Sequence, residues 1–277
     1  MSMKIISGQT GIDTEYKHWH KNEDNMIIFI HSGGGSIVCN ERVYPIKEGA
    51  LCFIGANKYH YTVPDDAIVY RRSKAFISDG KLSRILSIVS ENEAFVHNFH
   101  ENSFVYAEIP TDRIPSVDTL FREMSLHGND KKCRDAIFVS CFLRLLGFIA
   151  QNALDAISNS PSSLHRAIEY INQSIEKPLS IDQICEYVHI SKYHFCRSFK
   201  KATGLTVMQY ILNTRVVLAK HMLETENLSI IEISEQCGFS SVSYFCRAFK
   251  EATSMTPLQY KKEACKGSCR KMKAEGK

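Results

Sequence analysis

Residues 195–203 read FCRSFKKAT, and residues 245–253 read FCRAFKEAT, 50 residues later. Each copy is followed at the same distances by a threonine, a glutamine and a tyrosine: Thr206, Gln209 and Tyr210, then Thr256, Gln259 and Tyr260. So many matches at one offset indicate an internal repeat. Upstream, Leu179-Ser180-Ile181 matches Leu228-Ser229-Ile230 at an offset of 49 residues. The second copy has therefore gained one residue, which we place at Ser240 or Ser241.

Each copy reads as a short helix, a turn and a second helix, and we name the two copies HTH1 (about 180–203) and HTH2 (about 229–253). Ser180 and Ser191 can cap the two helices of HTH1. In the turn of HTH2, Gly238 tolerates positive φ. Helical spacing turns the phenylalanines of each second helix to one side. The residues expected on the opposite, outward side are Tyr193, Cys196, Arg197 and Lys200 in HTH1 and Ser243, Cys246, Arg247 and Lys250 in HTH2.

A short helix with an outward arginine suits the DNA major groove, where arginine can donate two hydrogen bonds to guanine. The alternative is a helical array with a solvated basic face. The presence of only two copies, joined by a strong helical segment at 207–223, favours DNA binding. Seventeen helical residues span roughly 26 Å, so this linker helix can set the two motifs about one DNA turn apart.

This repeat resembles the DNA-binding domain of the AraC/XylS family of bacterial transcription regulators. The matching residues are Leu179, Ser191, Phe195, Arg197, Phe199, Lys200, Gly204, Tyr210, Arg215, Ala219, Leu223, Ile230, Glu232, Ile233, Gly238, Phe239, Ser243, Tyr244, Phe245, Arg247, Phe249, Lys250, Thr256, Pro257 and Tyr260. The resemblance implies base contacts by Tyr193, Cys196 and Arg197 and by Ser243, Cys246 and Arg247. Three residues depart from the family pattern: His189 and Ser254 stand at usual glycines, and Lys261 stands where arginine is common.

Residues 1–110 contain short apolar or β-branched runs separated by turn residues, and we expect strands at Met26 to His31, Ile37 to Cys39, Val43 to Ile46, Ala50 to Ile54, Tyr59 to Val63 and Ile68 to Arg71. Many short strands with no intervening helix predict a sandwich or a small barrel, which can hold one small ligand. Gly49, the apolar run from Leu51 to Ile54, and His60 resemble the cupin-like sensing domain of these regulators.

Three histidines in this half could converge inside such a barrel. Metal-binding cupins use a His-x-His pair, a later glutamate and a third histidine, and His18-Trp19-His20, Glu23 and His60 follow that order. The spacing from His20 to Glu23 is too short for the metal pattern, so we expect no metal and no cofactor. We expect His18, His20, Phe29, Phe53 and His60 to contact an effector, with core packing as the alternative for each.

From residue 111 to 157 the pattern becomes helical, and the longer segment, 132–157, is apolar on nearly every face. Such a helix can pack on the sheet with one side and on a partner chain with another, so we expect a homodimer. The alternative is a core helix within one chain. Residues 158–162 then form a linker, residues 163–264 form the DNA-binding domain, and residues 265–277 form a basic tail.

Charge and cysteine usage agree with this division. Residues 163–277 carry 17 Lys and Arg against 11 Asp and Glu, whereas the remainder is slightly acidic, as expected if only the C-terminal half touches DNA. Ten cysteines without a secretory signal indicate reduced thiols and a cytoplasmic protein. No apolar segment reaches the roughly 20 residues that span a bilayer, so no membrane partner is expected.

The sequence thus predicts an α+β, two-domain regulator: a cupin-like β-barrel with a helical dimerisation segment, followed by an all-α domain with two helix-turn-helix motifs joined by a linker helix. We expect a non-enzymatic, sequence-specific regulator of transcription that binds double-stranded DNA and responds to a small molecule. The resemblance implies an activator that contacts RNA polymerase, and a sugar or related metabolite as the effector. The alternatives are a metal-dependent cupin enzyme or metal sensor and an interaction scaffold.

Overall fold

The computed structural model of the protein describes residues 3–11, 19–39, 42–65, 67–89, 99, 104–127, 133–153 and 163–263. The chain forms two compact units, Met1–Ser160 and Pro161–Lys277. Three of the sequence predictions, the effector contact of His18, the linker at 158–162 and the tail at 265–277, fall outside the described residues.

The first unit is built on eight described β-strands. They are β1 (Met3–Thr10), β2 (Asn25–Ser32), β3 (Gly35–Cys39), β4 (Arg42–Pro45), β5 (Ala50–Ile54), β6 (His60–Pro64), β7 (Arg71–Ile77) and β8 (Phe104–Glu108). The strands pair antiparallel in a five-stranded sheet of order β1-β7-β2-β5-β8 and a three-stranded sheet of order β4-β3-β6.

The expected barrel is not closed in the described part of the chain, because the two sheets share no ladder. Instead, one face of the five-stranded sheet packs against the three-stranded sheet, and the other face packs against helices. The inner core between the sheets includes Met26, Ile28, Ile37 and Cys52, whereas Ile27 belongs to the helix-covered core. Because side chains alternate along a strand, β2 supplies both cores from neighbouring residues.

The described α-helices of this unit are α1 (Asp79–Val89), α2 (Ile114–Leu126) and α3 (Arg134–Asn152), and a short 3-10 helix at Thr111–Arg113 precedes α2. Helix α1 lies between β7 and β8, so the expectation of strands without an intervening helix was wrong. Helix α3 buries one stripe of side chains in the helix-covered core: Phe138, Cys141, Phe142, Leu145, Leu146 and Ile149. By length and composition alone α3 could cross a membrane, but the core helix of a folded domain has the same character.

The second unit is helical throughout its described elements. Its helices are α4 (Ser163–Gln173), α5 (Ile181–Val188), α6 (Lys192–Thr203), α7 (Val207–Thr225), α8 (Ile230–Gln236) and α9 (Val242–Thr253), followed by a helical stretch at 257–263. Helices α5 and α6 form HTH1, α8 and α9 form HTH2, and α7 is the linker helix. The mixed architecture, a sheet-containing first unit and a helical second unit, agrees with the predicted α+β class.

Candidate nucleic-acid interface

Both motifs begin with the same capping arrangement. The Ser180 hydroxyl accepts a hydrogen bond from the backbone N–H of Gln183 at 3.2 Å, and the Gln183 side chain accepts from the Ser180 N–H at 3.0 Å. Ser229 and Glu232 repeat this capping box in HTH2. The hydrogen bonds from Ser229 lower the pKa of the Glu232 carboxyl, because they favour its charged form. Reciprocal capping satisfies backbone donors that a helix start leaves unpaired, which fixes where α5 and α8 begin.

The turns explain two of the departures from the family pattern. His189 ends α5 with φ of 57°, and Ser254 follows α9 with φ of 61°, so the backbone of both residues adopts the left-handed conformation that glycine usually adopts. In HTH2, Ser241 caps α9 through a hydrogen bond from the Tyr244 N–H at 3.2 Å. The additional residue of HTH2 therefore lies between Gly238 and Ser241. The third departure, Lys261, donates from Nζ to the carbonyl oxygen of Leu228 at 2.6 Å.

The inward faces of α6 and α9 are held by aromatic side chains. Phe195 and Phe199 are buried with ring centroids 5.5 Å apart, and Phe245 and Phe249 repeat the pair at 5.7 Å. The ring of Tyr210 meets Phe199, and that of Tyr260 meets Phe249, both edge to face. Edge-to-face contacts are a favoured arrangement of aromatic rings. Because these aromatic clusters bury the inward side of α6 and of α9, only the opposite side of each helix is available to a partner.

The outward faces carry the eight predicted DNA-binding residues. Tyr193, Arg197 and Lys200 are exposed, Tyr193 by 77%, and Cys196 is half-buried. In α9 the pattern is the same, with Ser243, Arg247 and Lys250 exposed and Cys246 half-buried. The guanidinium of Arg247 lies 5.6 Å from the centre of the Tyr244 ring, which is a cation–π contact. Helix α6 borders an open groove of about 520 Å³ whose lining includes Tyr193, Arg197 and Met208.

The turn of HTH2 closely approaches the backbone of the segment that follows α4. Gly238 has φ of 74°, and a Cβ atom there would lie 2.7 Å from the carbonyl oxygens of both Ile175 and Glu176. Arg215 of α7 donates to the same segment and its guanidinium lies 6.0 Å from the ring of Phe239. The turn of HTH2, the linker helix and the end of α4 are therefore in direct contact, which fixes α9 relative to the rest of the unit.

The expected effector residues divide between the two cores of the first unit. His20 and His60 come together: their backbones form a bridge, and their ring centroids are 4.2 Å apart. Nδ1 of His60 lies 3.0 Å from the Lys58 carbonyl oxygen. Burial, the neighbouring His20 and the charge of Lys74 lower the pKa of His60 to about 3, so its imidazole is neutral near pH 7.

Phe29 and Phe53 lie on the other side of the five-stranded sheet, away from His60. Both are fully buried in the helix-covered core, where Phe29 stacks on Phe121 and Phe53 meets Phe99. The structure therefore does not bring the two phenylalanines together with the histidines. No three His, Cys, Asp or Glu side chains within the described ranges are grouped so that they could hold a metal ion.

Two buried cations of the first unit were not predicted from the sequence. Arg72 is 1% exposed and Lys74 is 5% exposed, both on β7. The signal in the sequence is the alternation in Arg72-Ser73-Lys74-Ala75-Phe76, which places both cations on the face of the apolar Phe76. The strand was expected at Ile68 to Arg71, where the chain is apolar and β-branched, but it lies at Arg71–Ile77.

This chain is similar to known proteins in its second unit alone and over most of its length. A family model described as a helix-turn-helix domain matches residues 184–263. The HTH-type transcriptional activator RhaR of Mannheimia succiniciproducens is 24% identical over 255 residues, which are 87% of this chain and 87% of that protein. The activator RhaS of Shigella sonnei is 23% identical over 81% of this chain and 80% of its own length. Among solved structures, ToxT from Vibrio cholerae aligns over 94% of this chain and 96% of its own, with 16% identity and a TM-score of 0.38.

Proposed function

We infer that this chain, a DNA-binding transcription regulator that belongs to the AraC/XylS family, reads two successive major grooves of double-stranded DNA with α6 and α9. The observation that carries this proposal is the repeated division of each helix into a buried phenylalanine face and an exposed basic face. Arg197 and Arg247 donate to base edges, where a bidentate contact to guanine is the commonest specific pairing.

The remaining outward residues have supporting roles. Lys200 and Lys250 lie one turn further along their helices and contact phosphate or the groove edge, which positions the helix without reading sequence. Tyr193 and Ser243 contact neighbouring bases or thymine methyl groups, and Cys196 and Cys246 lie against the base edges between them. Both cysteines are half-buried, and their side chains are short. This supports a close approach of each helix to the floor of the groove, because no long side chain lies between them.

The first unit is the effector-sensing domain of this regulator, with a cupin-like arrangement of strands. Its inner core holds buried polar groups within an apolar enclosure, which is the character of small-molecule sites. A bound effector shifts the population between arrangements of the chain that differ in DNA affinity. The protein itself carries out no reaction, and its place of action is the bacterial cytoplasm.

Helix α3 supplies the contact between two copies of the chain. Its core stripe leaves Ala136, Ser140, Arg144 and Gln151 on the exposed side, with the half-buried Val139 beside them. Small and polar residues of this kind fit a modest dimer contact. RhaR and RhaS are named as activators, which supports activation and a contact with RNA polymerase for this chain as well.

The test is selection of bound sequences from a random double-stranded DNA library by the full chain. Two short blocks about one helical turn apart are expected. Arg197→Ala should erode only the block read by HTH1, and Arg247→Ala only the block read by HTH2, each at a cost of about 1 to 3 kcal/mol. Lys201→Ala is the matched control, because Lys201 is an exposed cation of α6 outside the eight. A uniform loss over all sequences would mean that the arginines grip only phosphate.

A further inference from the structure

A further cation of HTH1 lies on the outward face of α6. Lys192 begins this helix one turn before Cys196, and Lys200 lies one turn after Cys196. Residues that are four apart share one face of a helix. All three residues line the open groove of about 520 Å³ beside α6, together with Tyr193 and Arg197. The two lysines therefore lie at either end of the residues that we expect to contact bases.

A carboxylate of the preceding helix holds Lys192. Its Nζ lies 2.9 Å from Oδ1 of Asp182 and 3.2 Å from Oδ2. The hydrogen bond with Asp182, and then the charge of that carboxylate, raise the pKa of Lys192. Both side chains are more than half exposed, so water weakens the attraction between them. A competing anion can therefore separate this ion pair at little cost.

The equivalent positions of HTH2 carry no charge. The repeat aligns Asp182 with Ile231 at an offset of 49 residues and Lys192 with Val242 at an offset of 50 residues. Ile231 of α8 is exposed, and Val242 of α9 is half-buried. Because HTH2 forms the same two helices with apolar residues at both positions, the helix-turn-helix fold does not require the ion pair. This favours a role for the pair in binding.

Duplex DNA is a strong competitor for a lysine at this place. The two strands together carry one negative charge for about each 1.7 Å of the helix axis, and lysines of bound proteins neutralise these phosphates. A lysine at the end of a helix in the major groove lies near the phosphates that border the groove. The carboxylate of Asp182 would meet the same phosphates as a like charge, which opposes binding.

We propose that Lys192 is a further phosphate-binding residue of HTH1 and that Asp182 restrains it until DNA is bound. As α6 enters the major groove, a phosphate replaces the carboxylate of Asp182 as the partner of Lys192. The loss of the ion pair offsets part of the gain from the phosphate contact, so Asp182 lowers the affinity of HTH1 for DNA. This inference rests on the proposed reading of DNA by α6.

The variant Asp182→Asn tests the restraint, because it removes the charge and keeps the shape of the side chain. The full chain with this change should bind the duplex recovered by sequence selection at least about threefold tighter at a fixed salt concentration, which is the size of effect expected for one phosphate contact. Unchanged or weaker binding would overturn the proposal, and weaker binding would mean that Asp182 serves to fix α5 against α6. Glu186→Gln is the matched control, because Glu186 is an exposed carboxylate one turn further along α5. An equal gain in the control would assign the effect to net charge, against the proposal.

Uncharged phosphate analogues then locate the contact of Lys192. Each phosphate that borders the HTH1 block is replaced in turn by a methylphosphonate. One replacement should weaken binding of the natural chain at least about threefold and leave binding of Lys192→Met unchanged. The same replacement should weaken Asp182→Asn by a larger factor than the natural chain, because no ion pair offsets the contact that is lost.

The control for this measurement is Lys201→Met, which removes an exposed cation of α6 outside the groove lining. It should respond to each replacement as the natural chain does. If Lys192→Met also responds as the natural chain does, Lys192 contacts no phosphate and the proposal is overturned, while a two-block motif from selection leaves the regulator in place. If selection with the natural chain recovers no motif, the proposed function fails, and this inference fails with it.

Discussion

The guanidinium of Arg215 donates from Nε to the carbonyl oxygen of Ile175 at 3.0 Å, across 40 positions of sequence. Nη2 of the same side chain donates to the Lys177 carbonyl oxygen at 2.7 Å. The segment that precedes HTH1 is thereby tied to the middle of the linker helix. Because Phe239 of HTH2 also lies beside this guanidinium, one arginine contacts the parts of the unit that orient both motifs.

Replacement of Arg215 should therefore loosen the spacing of the two motifs. Arg215→Met removes two charge-assisted hydrogen bonds and leaves two carbonyl oxygens without this donor, at an expected cost of about 2 to 4 kcal/mol in the free energy of unfolding. Urea unfolding followed by far-ultraviolet circular dichroism measures the cost. Selection should then tolerate a wider range of distances between the two DNA blocks. Arg197→Met is the control, and an unchanged spacing preference in Arg215→Met would contradict the role.

Gly238→Ala tests the close approach at the turn of HTH2. The new Cβ atom would meet two carbonyl oxygens at 2.7 Å, and its φ of 74° is unfavourable for alanine. We expect a loss of more than about 3 kcal/mol in stability, since backbone strain alone costs about 1 to 3 kcal/mol. Gly11→Ala is a matched control, because Gly11 has φ of 73° with nothing within 4 Å of an added Cβ atom. Equal losses in the two variants would show that strain, not the contact, sets the cost.

Tyr193→Ser should change which sequence HTH1 prefers. Of the four outward positions, only this one differs between the motifs, with tyrosine in HTH1 and serine in HTH2. The variant gives α6 the same four outward side chains as α9, so the HTH1 block should shift toward the HTH2 block. Sequence selection measures the shift, and Lys201→Ser is the control. An unaltered HTH1 block would show that position 193 does not face the bases.

Acid should destabilise the first unit through His60. Its pKa is lowered from 6.5 to about 3 in the folded chain, so the unfolded chain binds more protons between these values. Stability is fully present above pH 6.5 and falls as the pH drops toward 3, by up to about 1.4 kcal/mol for each pH unit. Burial also lowers the pKa of His31, which adds to the loss in the same direction.

The variant His60→Asn should reduce this acid sensitivity. Asparagine retains a donor near the position of Nδ1, which faces the Lys58 carbonyl oxygen, but does not titrate. Denaturant unfolding followed by Trp19 fluorescence at pH 7 and pH 5 measures the slope. His127→Asn, which removes an exposed imidazole at the end of α2, should keep the slope of the natural chain. A slope that is equal in all three proteins would assign the acid effect to other groups.

The second unit could be predicted closely from the sequence because its signals are local. Ser180 and Ser229 mark the starts of α5 and α8 through short-range capping. Because the motif is repeated, the helix boundaries predicted in one copy can be compared with those predicted in the other. The linker helix was expected at 207–223 and extends to 225. The contact of Arg215 with Ile175 was not foreseen, because it joins residues that are distant in sequence and no local pattern encodes it.

The first unit was harder to predict because its strands are buried on both faces. The run from Met26 to Ile30 is apolar at every position, so no alternation tells which side chains face the helices and which face the second sheet. This is why Phe29 and Phe53 were expected beside the histidines and lie behind the sheet instead. Helix α1 follows β7 directly at Asp79, and its short amphipathic pattern was not separated from the strands around it.

If Tyr193 and Ser243 face the bases as proposed, the difference between them makes the order of the two DNA blocks matter. If the two motifs carried identical outward residues, they would prefer two equal blocks, and exchanging the blocks would leave the site unchanged. With tyrosine at one end and serine at the other, the order of the blocks defines an upstream and a downstream side of the chain on the duplex. A regulator of this kind faces one way along the DNA, so reversal of its site at a promoter would turn the whole molecule away from the gene.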